Sequence, residues 1–244
     1  MVTGTTVPTG QNSDSLKEGY MFLNQTPSQF FERRVATIFG TNSPSIRALD
    51  LVMSEMRVEK GFSRDDGQDY YNHCIDVANT LISFCVKDED AICAALLHDI
   101  VEDVQGYTEQ TVSNLFNPRV ARLVMLVTKD PNKNYKEPAN IEEYLHNISQ
   151  DMFASAIKTA DRMHNMMTLQ EKTFEARYRK AIETERYYLP FFKKCRQEFP
   201  RYENLFYAAR TQIQPLIFEI KSFYGEIEKL RAENAALKEA AKAK

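Results

Sequence analysis

The chain of 244 residues lacks most of the features that would assign it quickly to a class. Its four cysteines, Cys74, Cys85, Cys93 and Cys195, form no CxxC pair, and three of them stand among apolar residues. A disulfide framework or thiolate metal cluster is therefore not expected, and reduced thiols in a cytoplasmic setting are. There is no run of Lys or Arg, and the net charge is only −3, so nothing marks a nucleic-acid or anionic-membrane surface. No stretch approaches 18 consecutive apolar residues, and the start, MVTGTTVPTGQNSD, has neither a basic nor an apolar block. Neither a membrane span nor a conventional export signal is expected. No segment alternates convincingly with a period of two, which leaves helices as the only regular structure.

What is present fits that. An apolar fraction of 43% is ordinary for a globular chain. Thr26 before Pro27, Ser43 before Pro44, Asp88, Thr108 and Pro118 are helix-start signals, each followed by 3.6-residue periodicity. FSRDDGQDYYNH reads as a turn-rich linker, with His73 at a helix start, and KDPNKNYKEPAN (129–140) as a loop whose Lys129, Lys133 and Lys136 could meet phosphates or simply be solvated. Further helices are expected over 141–150, 151–169, 171–196 and 199–241. The expected fold is all-α: a mobile tail over 1–14, a globular domain over 15–210, and a C-terminal heptad helix over 211–244. In that last stretch Ile213, Leu216, Ile220, Phe223, Ile227, Leu230, Asn234, Leu237 and Ala241 follow a/d spacing with a single Asn. Glu226 with Arg231 and Glu233 with Lys238 would attract across a parallel dimer, so a homo-oligomeric coiled coil is expected over a helix folded back on its own domain.

Chemistry concentrates in three places. In AALLHDIVEDV (94–104), read as the end of one helix that Asp88 caps, Ile92, Cys93, Leu96, Leu97, Ile100, Val101 and Val104 fill one face. The other face carries His98, Asp99, Glu102 and Asp103, continued upstream by Ala91, Ala94 and Ala95, whose small size implies a close neighbour. Imidazole beside carboxylate offers mixed N/O ligation to a divalent ion, and an acid pair one turn on can reach water or substrate. A polar seam in an interior is the plainer reading. In IKTADRMHNMMTL (157–169), Lys158, Asp161, Asn165 and Thr168 share one stripe, with His164 off it and expected to be structural or at the surface. In RDDGQDYYNH, Arg64, Gly67, Tyr70 and His73 recur every three residues.

Together these segments resemble the HD-domain metal phosphohydrolases, and within them the hydrolase domain of the RelA/SpoT family and its stand-alone small alarmone hydrolases. The family patterns R-x-x-G-x-P-Y-x-x-H, LLHDxxED and KxADRxHNMxTL correspond to Arg64–His73, Leu96–Asp103 and Lys158–Leu169 at matching internal spacings. The resemblance covers roughly 45–190. Residues beyond it read as helical, so no synthetase domain is expected to follow.

The resemblance implies that His73, His98, Asp99 and Asp161 bind one metal ion, Mn2+, that Glu102 and Asp103 handle the attacking water and the leaving group, and that Arg64, Asn165 and Thr168 position a guanine nucleotide alarmone. The implied reaction releases pyrophosphate from the 3′-diphosphate of ppGpp or pppGpp, giving GDP or GTP. An HD phosphohydrolase acting on another nucleotide such as NADPH is the second enzymatic expectation, and an antitoxin-like partnership with an alarmone synthetase is the non-enzymatic one. Two departures bear on substrate. Asp69 replaces the family proline, and Asp65 and Asp66 stand where Lys and Ser are frequent. Extra carboxylates beside a polyanion should weaken binding unless they turn away or meet a cation.

Overall fold

The computed structural model describes residues 25–170 and 172–242, so the tail expected over 1–14 lies outside the described residues. Helices account for all the regular structure described, and the single β-bridge, between Ser63 and Asp69, is isolated. The fold is all-α, as periodicity implies.

Local signals set the helix starts. Thr26 caps α1 (Pro27–Phe39) with a full capping box, and Ser43 caps α2 (Pro44–Glu55), each followed by proline in the first turn, where its missing N–H costs nothing. A 3-10 turn, Val58–Lys60, leads into the loop before α3 (Tyr71–Ser83). Gly67, at φ +83°, closes the tight turn that returns Arg64 toward the body, with the Gly67 N–H donating to the Arg64 carbonyl. Asp88 accepts from the Ala91 N–H and opens α4 (Glu89–Leu96).

The chain does not continue as one helix to Val104. It breaks at Leu97–Asp99, whose backbone lies near φ −100°, ψ 0°, and restarts as α5 (Ile100–Asp103). His98 supplies the reason: its Nδ1 lies 2.8 Å from the Ala95 carbonyl, the acceptor that the Asp99 N–H would use in an unbroken helix. The helical wheel therefore fails beyond Leu97. His98, expected on a polar face, is buried.

Next come α6 (Glu109–Leu115), α7 (Pro118–Val127), α8 (Pro138–Ile148) and α9 (Met152–Met167), the last capped by Asp151 through two backbone N–H groups. The helix expected over 171–196 is instead α10 (Phe174–Glu183), one π-turn (Thr184–Tyr188) and α11 (Leu189–Glu198). Pro190 lacks the N–H that would bond to the Arg186 carbonyl, and the widened turn accommodates that gap. After a 3-10 turn, α12 runs from Glu203 to Lys242.

The core surrounds α4. Every residue from Ala91 to Leu97 is fully buried, so the alanine face does have close neighbours. Helices α2, α3, α7 and α9 pack on it, and α9 also packs on α3 and α12. The first half of α12 belongs to this body: Leu205, Phe206, Ala209, Ile213 and Ile217 are buried, and Tyr224 stacks on Tyr178 at 3.8 Å between ring centroids. The expected heptad seam is thus divided. Ile213 lies in the core, while Leu230 and Leu237 are exposed. Arg231, expected to pair with Glu226 of a second copy, bonds Glu175 and Glu228 of its own chain. Among the described residues no helix is long and apolar enough to cross a membrane.

Candidate metal centre

His73 and Asp76 on α3 face Asp161 and His164 on α9, each pair three residues apart and so on one side of its helix. The break after α4 places His98 and Asp99 against the same point. His73 Nε2 lies 3.3 Å from Asp161 Oδ1 and 3.8 Å from Asp99 Oδ2; His98 Nε2 lies 3.1 Å from Asp99 Oδ2 and 3.9 Å from Asp161 Oδ1. Both imidazoles are about 1% exposed, and neither Nε2 has a hydrogen-bond partner. A buried polar atom left unpaired costs about 1–3 kcal/mol, and two aimed at one point between two carboxylates are what a divalent cation would satisfy. His73, His98 and Asp99 can bring ligand atoms within 4.8 Å of one another, and Asp161 adjoins them. The donor set, two imidazole nitrogens and two carboxylate oxygens, fits a divalent transition-metal ion, which would displace the proton that these carboxylates otherwise hold on His98.

The surrounding polar groups fix this arrangement. Lys158, buried, holds Asp161 Oδ2 at 2.6 Å, while Asn165 donates its amide to Oδ1. Burial disfavours the Asp161 charge, yet the Lys158 ammonium outweighs it and holds the carboxyl well below its ordinary range. Tyr70 donates to Asp99 Oδ2 at 2.7 Å; burial, then the Asp99 charge, keep it a phenol. Burial lowers the His73 pKa; it also opposes charging of His98, but Asp99 and Asp161 prevail and raise that ring to about 9. Neither Tyr70 nor His164 stood out as functional in the sequence. Tyr70 was visible only as one member of the Arg64–His73 spacing, and His164 bonds His73 directly, Nδ1 to Nδ1 at 2.8 Å.

Glu102 and Asp103 sit at the solvent edge on α5 and differ in company. Glu102 takes the Lys129 backbone N–H at 3.1 Å and its ammonium at 3.2 Å. Asp103 has no such clamp among the described residues, and partial burial together with the charges of Asp99 and Glu102 pushes its carboxyl up to about 6. Of the three loop lysines, Lys133 is paired with Glu143 and Lys129 with Glu102, so neither of these two stands free toward a ligand.

Arg64, Asn165 and Thr168 also come together. The Arg64 guanidinium donates to Thr168 Oγ1 at 2.8 Å and, more weakly, to Asn165 Oδ1 at 3.4 Å. Arg64 and Thr168 border a cavity of about 320 Å³ that reaches His73 and is also lined by Asp65, Asp66 and Gln68. Asp65 forms an ion pair with Lys172 at 2.5 Å, and Asp66 accepts from the Gln68 N–H within its own turn. Both departures from the family pattern are thereby accommodated: one carboxylate meets a cation, and the other is spent on the loop. Asp69, at the proline position, accepts from the Val58 N–H and joins the loop to the preceding 3-10 turn.

Comparison with known proteins bears on the family and the fold. The chain is 35% identical over 140 residues to the GTP pyrophosphokinase rsh of Brucella melitensis, covering 55% of this chain and 18% of that protein. It is also 35% identical over 136 residues to a guanosine-3′,5′-bis(diphosphate) 3′-pyrophosphohydrolase of Haemophilus influenzae, covering 54% and 20%. The chain thus spans about a fifth of the length of the curated relatives it matches. Among solved structures, a metazoan orthologue of SpoT described as hydrolysing ppGpp superposes with a TM-score of 0.56 at 26% identity, covering 73% of this chain and 96% of that one. The HD-domain family model matches residues 48–195, a span that contains all four expected ligands, the acid pair and the Arg64 loop, and the chain belongs to the HD-domain family.

Proposed function

We propose that this protein hydrolyses the 3′-diphosphate of ppGpp and pppGpp, yielding GDP or GTP and pyrophosphate, with one Mn2+ ion held by His73, His98, Asp99 and Asp161. The observation that carries this reading is the pair of buried, unpartnered imidazole nitrogens facing two carboxylates beside the Arg64 cavity. It is supported by relatives named for ppGpp hydrolysis.

An ion held by those four residues would supply Lewis-acid chemistry, polarising a phosphoryl oxygen and making water more acidic. The remaining chemistry falls to the chain. Water attacks the phosphorus attached to the ribose 3′ oxygen and gives a proton to a carboxylate; the bond from that phosphorus to the 3′ oxygen breaks, and the protonated carboxylate returns its proton to the departing oxygen, leaving a 3′ hydroxyl and pyrophosphate. Asp103 is the proton acceptor, because its pKa of about 6 leaves it ionised yet basic at neutral pH. Glu102, clamped by Lys129, orients the water or the leaving group. Lys158 keeps Asp161 ionised and fixed, and Tyr70 does the orienting for Asp99. Arg64, already in contact with Thr168 and Asn165, offers a planar donor fork to the nucleotide. The NADPH alternative rests on Asp65 and Asp66, and the Lys172 ion pair and the Gln68 N–H weaken that motive.

The exposed end of α12, with Leu230, Asn234 and Leu237 still at heptad spacing, pairs with a second copy in this reading. Its unpaired cysteines accord with a reducing cytoplasm.

The test is an assay of the purified chain with added Mn2+ against a nucleotide panel. Equal amounts of GDP and pyrophosphate from ppGpp, lost in His98→Ala and Asp161→Ala, are expected. Silence toward both alarmones alongside phosphate release from another nucleotide would reject the substrate while keeping the centre.

A further inference from the structure

His73 and His98 each present Nε2 to the centre, but their outer nitrogens are held differently. His98 Nδ1 faces a backbone carbonyl, Ala95, at 2.8 Å, an acceptor that is never protonated, so its ring keeps a proton on Nδ1 and Nε2 is the nitrogen that a cation would take. His73 Nδ1 faces another imidazole, His164 Nδ1, also at 2.8 Å. One hydrogen occupies that contact. If it sits on His73, the Nε2 lone pair points at the centre; if it sits on His164, a neutral His73 carries its proton on Nε2 and is useless as a ligand. The far side of His164 decides the matter: its Nε2 lies 3.2 Å from Asp76 Oδ2, a carboxylate that only accepts. A neutral His164 then keeps its hydrogen on Nε2, and its Nδ1 must accept from His73.

We propose that His164 and Asp76 form a positioning dyad that fixes His73 as the Nδ1–H tautomer and sets its ring orientation for metal ligation. This rests on the metal reading of the same site. The arrangement is reciprocal across two packed helices: α3 supplies a ligand at position 73 and an outer carboxylate at 76, and α9 supplies a ligand carboxylate at 161 and an outer imidazole at 164. The ring centroids of His73 and His164 lie 4.7 Å apart, and His73 is in addition packed edge-on by Tyr70 and His98; Asp161 Oδ1, 3.3 Å from Nε2, favours a proton on that side, and the outer hydrogen bond is the contact that holds it on Nδ1 instead. A purely structural histidine would need neither a second imidazole at hydrogen-bond distance nor a carboxylate behind it.

The experiment uses the full chain and Mn2+ itself, titrated by calorimetry at fixed pH, with His73 followed by ¹⁵N NMR in the diamagnetic, Mn2+-free protein. His164→Phe should weaken Mn2+ binding by about 10–100-fold, the range seen when an outer partner of a ligating histidine is removed. It should also move the His73 nitrogen signals toward the Nε2–H tautomer. His164→Gln, whose side-chain carbonyl can still accept from Nδ1–H, should stay within a few-fold of the parent, and Asp76→Asn should fall between. Unchanged Mn2+ affinity in His164→Phe, or in Asp76→Asn should the former not fold, overturns the dyad; so does an unshifted tautomer, or a Gln variant as weak as Phe. A parent that binds no divalent ion overturns the metal reading itself, a result distinct from equal binding by parent and variants.

Discussion

Replacing Lys158 with methionine isolates the electrostatics of the centre from its chemistry. Lys158 and Asp161 are each 5% exposed and 2.6 Å apart, and their pKa values move in opposite directions, the lysine up and the aspartate down, so both are charged at neutral pH. Breaking a buried pair by removing one member costs about 3–5 kcal/mol, because the other charge is stranded. Asp161 retains the Asn165 amide and the nearby imidazole of His98, which points to the lower end, about 3 kcal/mol. For a chain of this size that is roughly 6–12 °C in unfolding midpoint. Thermal unfolding followed by circular dichroism without metal should show this loss. Mn2+ at about a hundred times its dissociation constant should return up to about 2.7 kcal/mol by mass action. Lys158→Met combined with Asp161→Leu should recover most of the stability and lose its response to Mn2+. A single variant within about 1 °C of the parent would refute the claim that this pair is buried and charged.

Three further outcomes follow from the site and the final helix. With Asp103 as proton acceptor, turnover should rise with pH through about 6 and level off above, and Asp103→Asn should lose that limb together with about 10²–10⁴ of the rate, more than Glu102→Gln loses; the reverse ranking would assign the base to Glu102. The same raised pKa means that the folded chain binds more protons than the unfolded one between the ordinary value of 3.8 and about 6, so this group's contribution to stability falls as pH rises through that window, and Asp103→Asn should flatten the stability profile there. Lys172→Ala should raise KM for the alarmone several-fold with kcat unchanged, by leaving Asp65 unopposed, and Asp65→Asn in the same chain should restore it; an unchanged KM would show that Asp65 is remote from the nucleotide. A stop after Lys229 should halve the mass measured by light scattering if the exposed helix end holds two copies together, whereas a stop after Gln212 would also remove Ile213 and Ile217 from the core and lower the unfolding midpoint.

Helix starts were legible because each is written within four residues: Thr26, Ser43, Asp88 and Thr108 all cap where a hydroxyl or carboxylate precedes the apolar period. The break at His98 was not, since one side chain taking one carbonyl outweighs a continuous apolar period that points the other way. The positions expected to ligate metal are close in space, but the network behind them was hidden, because Asp76 and His164 are unremarkable in isolation and meet only across helices. The division of α12 was equally invisible: the same a/d spacing serves a core contact at Ile213 and an exposed face at Leu237, and spacing alone does not name the partner. The acidic departures at Asp65 and Asp66 read as hostile to a polyanion until Lys172 and the Gln68 N–H were seen to occupy them.

The contact between Asp76 and His164, 88 positions apart, has a consequence for how the chain matures. Closing so long a loop costs little more entropy than closing one half as long, but no coordination rewards the chain until α3, the turn at His98 and α9 have all arrived. A cation bound at the proposed centre would therefore not nucleate the fold; it would bind tightly only to finished molecules. Metal uptake would then act as a completion check, drawing the folded population forward and leaving partly docked chains with scattered imidazoles and carboxylates that hold the ion weakly.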